Sequence, residues 1–321
     1  MEEVLRLLLS GGIVSGAEIS ERLGVTRAAV WKRVEQLRAA GYQVEAVGRR
    51  GYRLLSCPDA LHAPLVERGL RTKWAGHPVC YQQSVDSTNL WCKRLAAQDA
   101  PHGALALSGT QTAGRGRRGR VWESPEDAGI FMTLLLRPKA HPSQVAQLTL
   151  LTALSVAEGI EAATGARAGI KWPNDVVMNG KKVCGILLEM SADEAQVQYI
   201  VAGAGINVHA CPADLVKTAT CVDEACGRRV LRADLARAFL ESFERRYAMF
   251  ERSGEQEWID DYRARSVTLG QRVCVVGADT SFTGMARDVD ALGALVVETE
   301  DGERRTVLAG DVSVRGVMGY V

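Results

Sequence analysis

Along the first 55 residues, short apolar runs recur at helical spacing between polar breaks. A helix is expected over about Met1–Leu9. Ser15 followed by Glu18 is a capping box opening a second helix that runs to Leu23. Gly24-Val25 makes a tight turn, and Thr26 caps a third helix whose Val30, Val34 and Leu37 stand at i, i+4 and i+7. Ala28, Lys32 and Glu35 point away from that stripe, with Arg27 and Trp31 on its flanks. Gly41 ends it. YQVEAVGRRGYRLLS then alternates as strand, turn and strand. SCPDALHAP (56–64) reads as a linker.

From about 65 to 265, strand patterns and long helical patterns mix. Leu90–Ala97, Gln144–Ala163 and Arg232–Ser253 are the clearest helices. Asn179-Gly180 between apolar runs is a hairpin turn. This is the pattern of an α+β layer with a mixed or largely antiparallel sheet. From about 267, short β runs broken by Gly, Asp and Thr indicate a small separate β-barrel or sandwich.

The whole chain of 321 residues has a net charge of +1, which hides a local asymmetry. Residues 22–56 carry eight Arg and Lys against Glu35 and Glu45, a net +6. With three short helices and a strand–turn–strand tipped by Arg49 and Arg50, this stretch looks like a winged helix-turn-helix that binds DNA. Arg49, Arg50 and Lys32 are expected on phosphates. Exposed residues near the start of the third helix, Arg27 and Trp31 among them, are expected near the bases.

No segment reads as apolar enough to span a membrane, and MEEVLRLLLSGG is a poor signal peptide, so a cytoplasmic protein is expected. The eight cysteines contain no C-x-x-C and are expected as reduced thiols. His209, Cys211, Cys221 and Cys226 cluster without the spacing of a structural zinc site, so no metal site is assigned.

The densest chemistry is GTQTAGRGRRGRVW, residues 109–122. Gly114, Gly116 and Gly119 satisfy G-x-G-x-x-G. A dinucleotide fold needs a helix directly after that motif, and here a loop and a strand follow. No G-K-[ST] ends the run, so it is not a P-loop either. Glycines let the backbone approach a ligand, while arginines present forked donors to carboxylate and phosphate. Together they suit a lid that closes over an anion.

DSTN (86–89), QTAGRGRRGRVW, KWPND (171–175), GKKVCGIL and GAGIN (203–207), in this order, closely resemble the biotin protein ligases. Each motif alone is also ordinary turn and capping chemistry. With the DNA-binding stretch in front, the chain resembles the bifunctional subclass that pairs biotin ligase with biotin-operon repressor. The resemblance implies domains at 1–60, 65–266 and 267–321, the last a small SH3-like β-barrel.

It further implies an ATP-dependent enzyme that makes biotinyl-5′-adenylate and passes biotin to a lysine of a biotin carboxyl carrier protein, with Mg²⁺. By this likeness Ser87, Thr88, Asn89 and Gln111 hold the biotin ring. Arg115, Gly116 and Arg117 form the lid over its carboxylate and the phosphate. Trp122 packs on the closed ligand, and Lys182 stands at the reacting centre. Arg120, Lys171, Asn174, Asp175, Asn207 and Arg315 line the nucleotide side. Operator DNA and a ligand-promoted homodimer are the further partners implied. The competing readings are a lipoate or octanoate ligase, a biotin-sensing repressor without transfer activity, and a ligase whose N-terminal domain no longer binds DNA.

Overall fold

The structure, a computed structural model, describes residues 1–139, 141–193, 196–252, 257–277, 281–309 and 313–316. The chain divides into two compact units, Met1–Leu70 and Arg71–Val321.

In the first unit, α1 (Glu2–Leu9), α2 (Gly16–Leu23) and α3 (Arg27–Ala39) precede a hairpin of β1 (Gln43–Ala46) and β2 (Tyr52–Ser56). The capping signals act as expected. Ser15 Oγ accepts from Glu18 N at 3.0 Å, and Thr26 Oγ1 accepts from Ala29 N at 3.2 Å. Val30, Val34 and Leu37 are buried with Val4, Leu5, Leu8 and Ile19. Arg49 and Arg50 lie in a single 3-10 turn between the two strands. The expected linker is instead folded structure. Leu61 and Ala63 are buried, α4 (Ala63–Glu67) begins there, and Tyr42 Oη lies 2.7 Å from His62 Nδ1. Two apolar side chains and a ring contact outweigh the Pro and Asp that suggested a tether.

The second unit is built on a seven-stranded mixed sheet. Its strands are β3 (Val79–Val85), β4 (Leu105–Gln111), β5 (Gly129–Leu136), β6 (Gly169–Lys171), β7 (Asp175–Met178), β8 (Lys181–Ala192) and β9 (Val197–Asn207). Their order is β3-β4-β5-β9-β8-β7-β6, with only β3–β4 parallel among the pairs. Asn179 and Gly180 take φ of 50° and 73°, the turn that matches strand twist, and join β7 to β8. All eight residues of β5 are buried, so both faces of the sheet are covered at its centre.

Helix α5 (Thr88–Ala97) starts two residues before the expected Leu90. It packs Trp91, Cys92 and Ala96 onto Leu135 and Val201. Helices α6 (Val145–Thr164) and α8 (Arg232–Glu251) pack on each other, and α7 (Val222–Cys226) lies between them in sequence. The expected end of α8 at Ser253 lies outside the described residues. Contrary to the sequence reading, α6 is long and apolar enough to cross a membrane by length and composition. Most of it is buried inside this fold, as a core helix.

Helix α9 (Glu257–Arg265) leads to five antiparallel strands, β10 (Arg272–Val276), β11 (Ser281–Val289), β12 (Leu295–Glu298), β13 (Arg304–Val307) and β14 (Ser313–Gly316). They run in the order β13-β12-β11-β10-β14. The expected barrel is not closed, because β13 and β14 stand at opposite edges with no pairing between them among the described residues. Of AGDVSVRG, residues 310–312 lie outside the described residues, as do 317–321 of the expected last domain.

Candidate active site

The start of α5, the end of β4, the β7–β8 hairpin, strands β8 and β9 and one loop meet at a cleft. Ser87, Thr88 and Asn89 come from the start of α5, and Gln111 from the end of β4. Arg115, Gly116, Arg117 and Trp122 come from the glycine-arginine loop. Asn174 and Lys182 flank the β7–β8 hairpin, and Gly185, Gly203 and Gly205 lie in β8 and β9. Residues 87 to 205 thus converge, and ten of the residues singled out from sequence line this one cleft.

Its floor is made of glycine. Gly185 and Gly205 are paired across β8 and β9, and the Trp122 indole lies on them. A Cβ on Gly205 would stand 2.5 Å from Trp122 Nε1, and one on Gly185 2.7 Å from the same ring. Missing side chains on these strands make the room that the ring fills. The ring's own peptide is held by Trp122 N donating to Gly114 O at 2.9 Å.

The end of the cleft lined by Ser87, Thr88, Asn89 and Gln111 is largely prewired. Thr88 N and Oγ1 donate to Gln111 Oε1, and Gln111 Nε2 donates to Ser124 Oγ. Asn89 Nδ2 donates to Leu187 O at 3.2 Å and Glu189 Oε2 at 2.9 Å, while its Oδ1 accepts from Thr133 Oγ1 at 2.7 Å. Both amide hydrogens of Asn89 are therefore engaged by protein. Two polar groups facing the cleft have no protein partner among the described residues, Ser87 Oγ and the buried Trp122 Nε1. Ser87 is an N-terminal helix residue whose hydroxyl does not cap its own helix.

The opposite end is cationic. Lys182 Nζ stands 2.6 Å from Asp175 Oδ1 and 5.4 Å from the Trp122 ring centre. Arg117 Nη1 donates to Asn174 Oδ1 at 2.8 Å. Burial pushes the Lys171 ammonium below its usual range. Lys182, Arg315 and Arg120 press it the same way, with Asp175 opposing. Lys182, Arg315 and Arg120 thus act on Lys171 against the single opposing charge of Asp175, a net positive field suited to a polyphosphate. Arg315, on β14, joins this group. Asn207 lies aside from the cleft lining, buried at the end of β9, where its Nδ2 donates to Thr220 O at 3.3 Å. Thr220 in turn donates its N–H to Lys182 O, so Asn207 and Lys182 brace the same loop.

Arg115 pairs with Val121 in a short bridge at the neck of the loop, and Arg118 takes φ of 57°. Beyond the loop, the buried Arg232 donates to Asp127 Oδ1 at 3.0 Å, just before β5. Sequence reasoning missed Arg232, Thr133, Ser124 and Glu189. Each acts through a side chain 13 or more residues away, so no local spacing betrays it.

Elsewhere, His209 Nδ1 lies 2.7 Å from Asp223 Oδ2, and Cys211 and Cys226 point at backbone carbonyls. In the first unit, Arg22, Arg38 and Arg53 pair with Glu18, Glu35 and Glu45. Arg27, Lys32, Arg49 and Arg50 have no ion-pair partner among the described residues, and all are exposed. Trp31, 57% exposed, stands among the exposed residues of α3.

Residues 1–53 match an HTH domain, 79–207 the Biotin/lipoate A/B protein ligase family, and 268–315 the biotin protein ligase C terminal domain. The bifunctional ligase/repressor BirA of Bacillus spizizenii is 39% identical over 98% of both chains. That of Escherichia coli is 28% identical over 98% of this chain and 96% of its own. A biotin protein ligase from Aquifex aeolicus, solved with biotin and ATP, superposes with a TM-score of 0.65 at 30% identity, covering 74% of this chain and 98% of its own. The cleft, the cationic end and this full-length likeness agree, and the chain belongs to the bifunctional ligase/repressor family of biotin protein ligases.

Proposed function

We propose that this chain is an ATP-dependent biotin protein ligase that also acts as a biotin-responsive repressor. A carboxylate is a poor electrophile, so biotin's carboxylate oxygen first attacks the α-phosphorus of ATP. Pyrophosphate leaves, and biotinyl-5′-adenylate forms. An amine from a lysine of a biotin carboxyl carrier protein then attacks the acyl carbon, AMP departs, and an amide remains.

The observation that carries this reading is the join between the two ends of the cleft. The glycine floor with its open Ser87 hydroxyl runs directly into the field of Lys182, Lys171, Arg120 and Arg315. Ser87, Thr88, Asn89 and Gln111 form the ring-binding end, with Asn89 and Gln111 acting chiefly by holding their neighbours. Lys182 neutralises charge as it builds between carboxylate and α-phosphate. Arg115, Gly116 and Arg117 close over the mixed anhydride and keep water from it. Lys171, Asn174 and Asp175 serve the nucleotide with Arg120 and Arg315, and Asn207 steadies the adjoining loop.

Mg²⁺ would accompany ATP, with the nucleotide's phosphates and the nearby Asp175 carboxylate, now paired to Lys182, as the groups that would hold it. It would supply charge neutralisation on the phosphates.

Domains at 1–60, 65–266 and 267–321 divide these tasks. Arg49, Arg50, Lys32, Arg27 and Trp31 form the operator-binding face. The adenylate, by ordering the loops, favours a homodimer that binds operator DNA, and the carrier protein competes for that state.

The test is mass spectrometry of the purified protein after incubation with biotin, ATP and Mg²⁺, beside a lipoate control. Retained biotinyl-adenylate is the expected result. An adenylate from lipoate alone would assign the chain to lipoyl transfer. None from either would leave a ligand-sensing repressor.

A further inference from the structure

The carboxylate of Glu189 belongs to none of the motifs that define the cleft, yet it touches two of them. It sits on β8 with its side chain 21% exposed. Oε2 accepts from Asn89 Nδ2 at 2.9 Å, and Oε1 accepts from Lys93 Nζ at 2.7 Å and Arg115 Nη1 at 3.4 Å. Asn89 and Lys93 are one helical turn apart on α5, whereas Arg115 belongs to the loop that covers the cleft. One carboxylate therefore fastens the helix that bears the ring-binding residues to the arm of the lid.

The surroundings leave the amide little freedom. A Cβ on Gly203 would collide with Asn89 Oδ1, so the strand is hollowed to receive that side chain. With Thr133 Oγ1 donating to Oδ1, the Nδ2 side must face acceptors, and these are Leu187 O and Glu189. Burial works against ionisation of Glu189. The hydrogen bonds from Lys93 and Asn89 outweigh it and hold the carboxyl below its usual range.

Resting on the ligase reading above, we propose that Glu189 is a positioning residue for the reaction, an internal anion that fixes the Asn89 amide and holds Arg115 over the cleft. It touches no reacting atom. Arg115 has a protein counter-ion before the substrate carboxylate arrives, and so starts from a defined place rather than from solvent. The cost of ordering one long side chain is thereby met before binding. The same tether slows the lid from opening once the adenylate has formed.

The experiment compares wild type, Glu189→Gln and Lys93→Gln in the full chain. It measures KM for biotin, the rate of adenylate formation at saturating biotin and ATP, the rate at which preformed adenylate is released, and Tm. For Glu189→Gln, KM is expected to rise about tenfold and release to quicken about tenfold, with the saturated rate within about twofold of wild type. Lys93→Gln removes the outer ion pair, which does not reach the cleft, and should leave KM and release within about twofold. A Glu189→Gln protein with unchanged KM and release would overturn the proposal. So would a Lys93→Gln protein with the same defects, or a fall in Tm with no change in KM or release, since each reduces Glu189 to an ordinary ion pair. A wild-type chain that makes no adenylate at all would instead remove the ligase reading, and this proposal with it.

Discussion

Lys182 and Asp175 face each other across the β7–β8 hairpin at 2.6 Å, where the glycine floor meets the cationic end. The pairing holds the ammonium at this junction, the reacting centre of the proposed function, without leaving it bare. Lys182→Ala is expected to slow adenylate formation by about a hundredfold or more while biotin affinity changes by less than about threefold. Single-turnover kinetics beside equilibrium biotin binding separate the two. Lost binding with an unchanged rate would move Lys182 away from the reacting centre.

The glycine floor predicts a second result. Gly205→Ala places a methyl group 2.5 Å from the Trp122 indole, and the ring must leave its seat. Overpacking of this kind costs about 1–3 kcal/mol. Trp122 fluorescence should shift and biotin binding weaken. A well-folded variant that binds biotin normally would show that the ring's seat is dispensable.

Gly114 is closed to side chains for a different reason, since a Cβ there would run into the Trp122 carbonyl. Gly114→Ser should therefore part the two sides of the loop's neck. The expected outcome is an adenylate that forms but leaks, seen as faster release of biotinyl-adenylate into solution. A normal release rate would deny the loop its part as a lid.

In the first unit, the exposed arginines without carboxylate partners should act as independent phosphate contacts. Arg49→Ala and Arg50→Ala should each weaken operator and random DNA alike, and each should lower the slope of log affinity against log salt by about one. Trp31→Ala should change the preference among operator sequences instead. Binding titrations over a range of salt distinguish these. An arginine variant with the wild-type salt slope would take that residue off the DNA.

Acid should loosen the start of α5. Arg94 donates to both oxygens of Asp86, and this holds the Asp86 carboxyl at about 2, against a usual 3.8. The folded state favours the ionised form, so this contribution is complete above about pH 4 and is lost as pH falls toward about 2. Both side chains are well exposed, so the effect is small. Arg94→Gln should remove most of it and flatten the fall in Tm over that interval. An equal fall in both proteins would place the acid sensitivity elsewhere.

What could be read from the chain was local. The capping serines and threonines, the Asn179-Gly180 turn and the apolar stripe of α3 each act within a few residues, and each took its expected form. The lining of the cleft was legible because its motifs carry backbone-compatible chemistry in short runs. Glu189 was not, because ILLEM reads as one more strand and its partners lie about a hundred residues away. The linker misled for the opposite reason. Its Pro and Asp are honest turn signals, but Leu61 and Ala63 are buried by contacts that composition does not reveal. The helix α6 was legible at almost its full length, as Gln144–Ala163, but how apolar that whole span is was passed over.

Trp172 stands beside Lys171 and gives both of its N–H groups to the C-terminal part of the unit, the backbone one to Thr268 Oγ1 at 2.9 Å and the indole one to Gly293 O at 3.1 Å. A fragment ending at residue 266 would strip both acceptors from a buried ring and remove Arg315 from the cationic end of the cleft. Trimming this protein to a minimal biotinylating tool should therefore proceed from the amino end, leaving residues 267–316 in place.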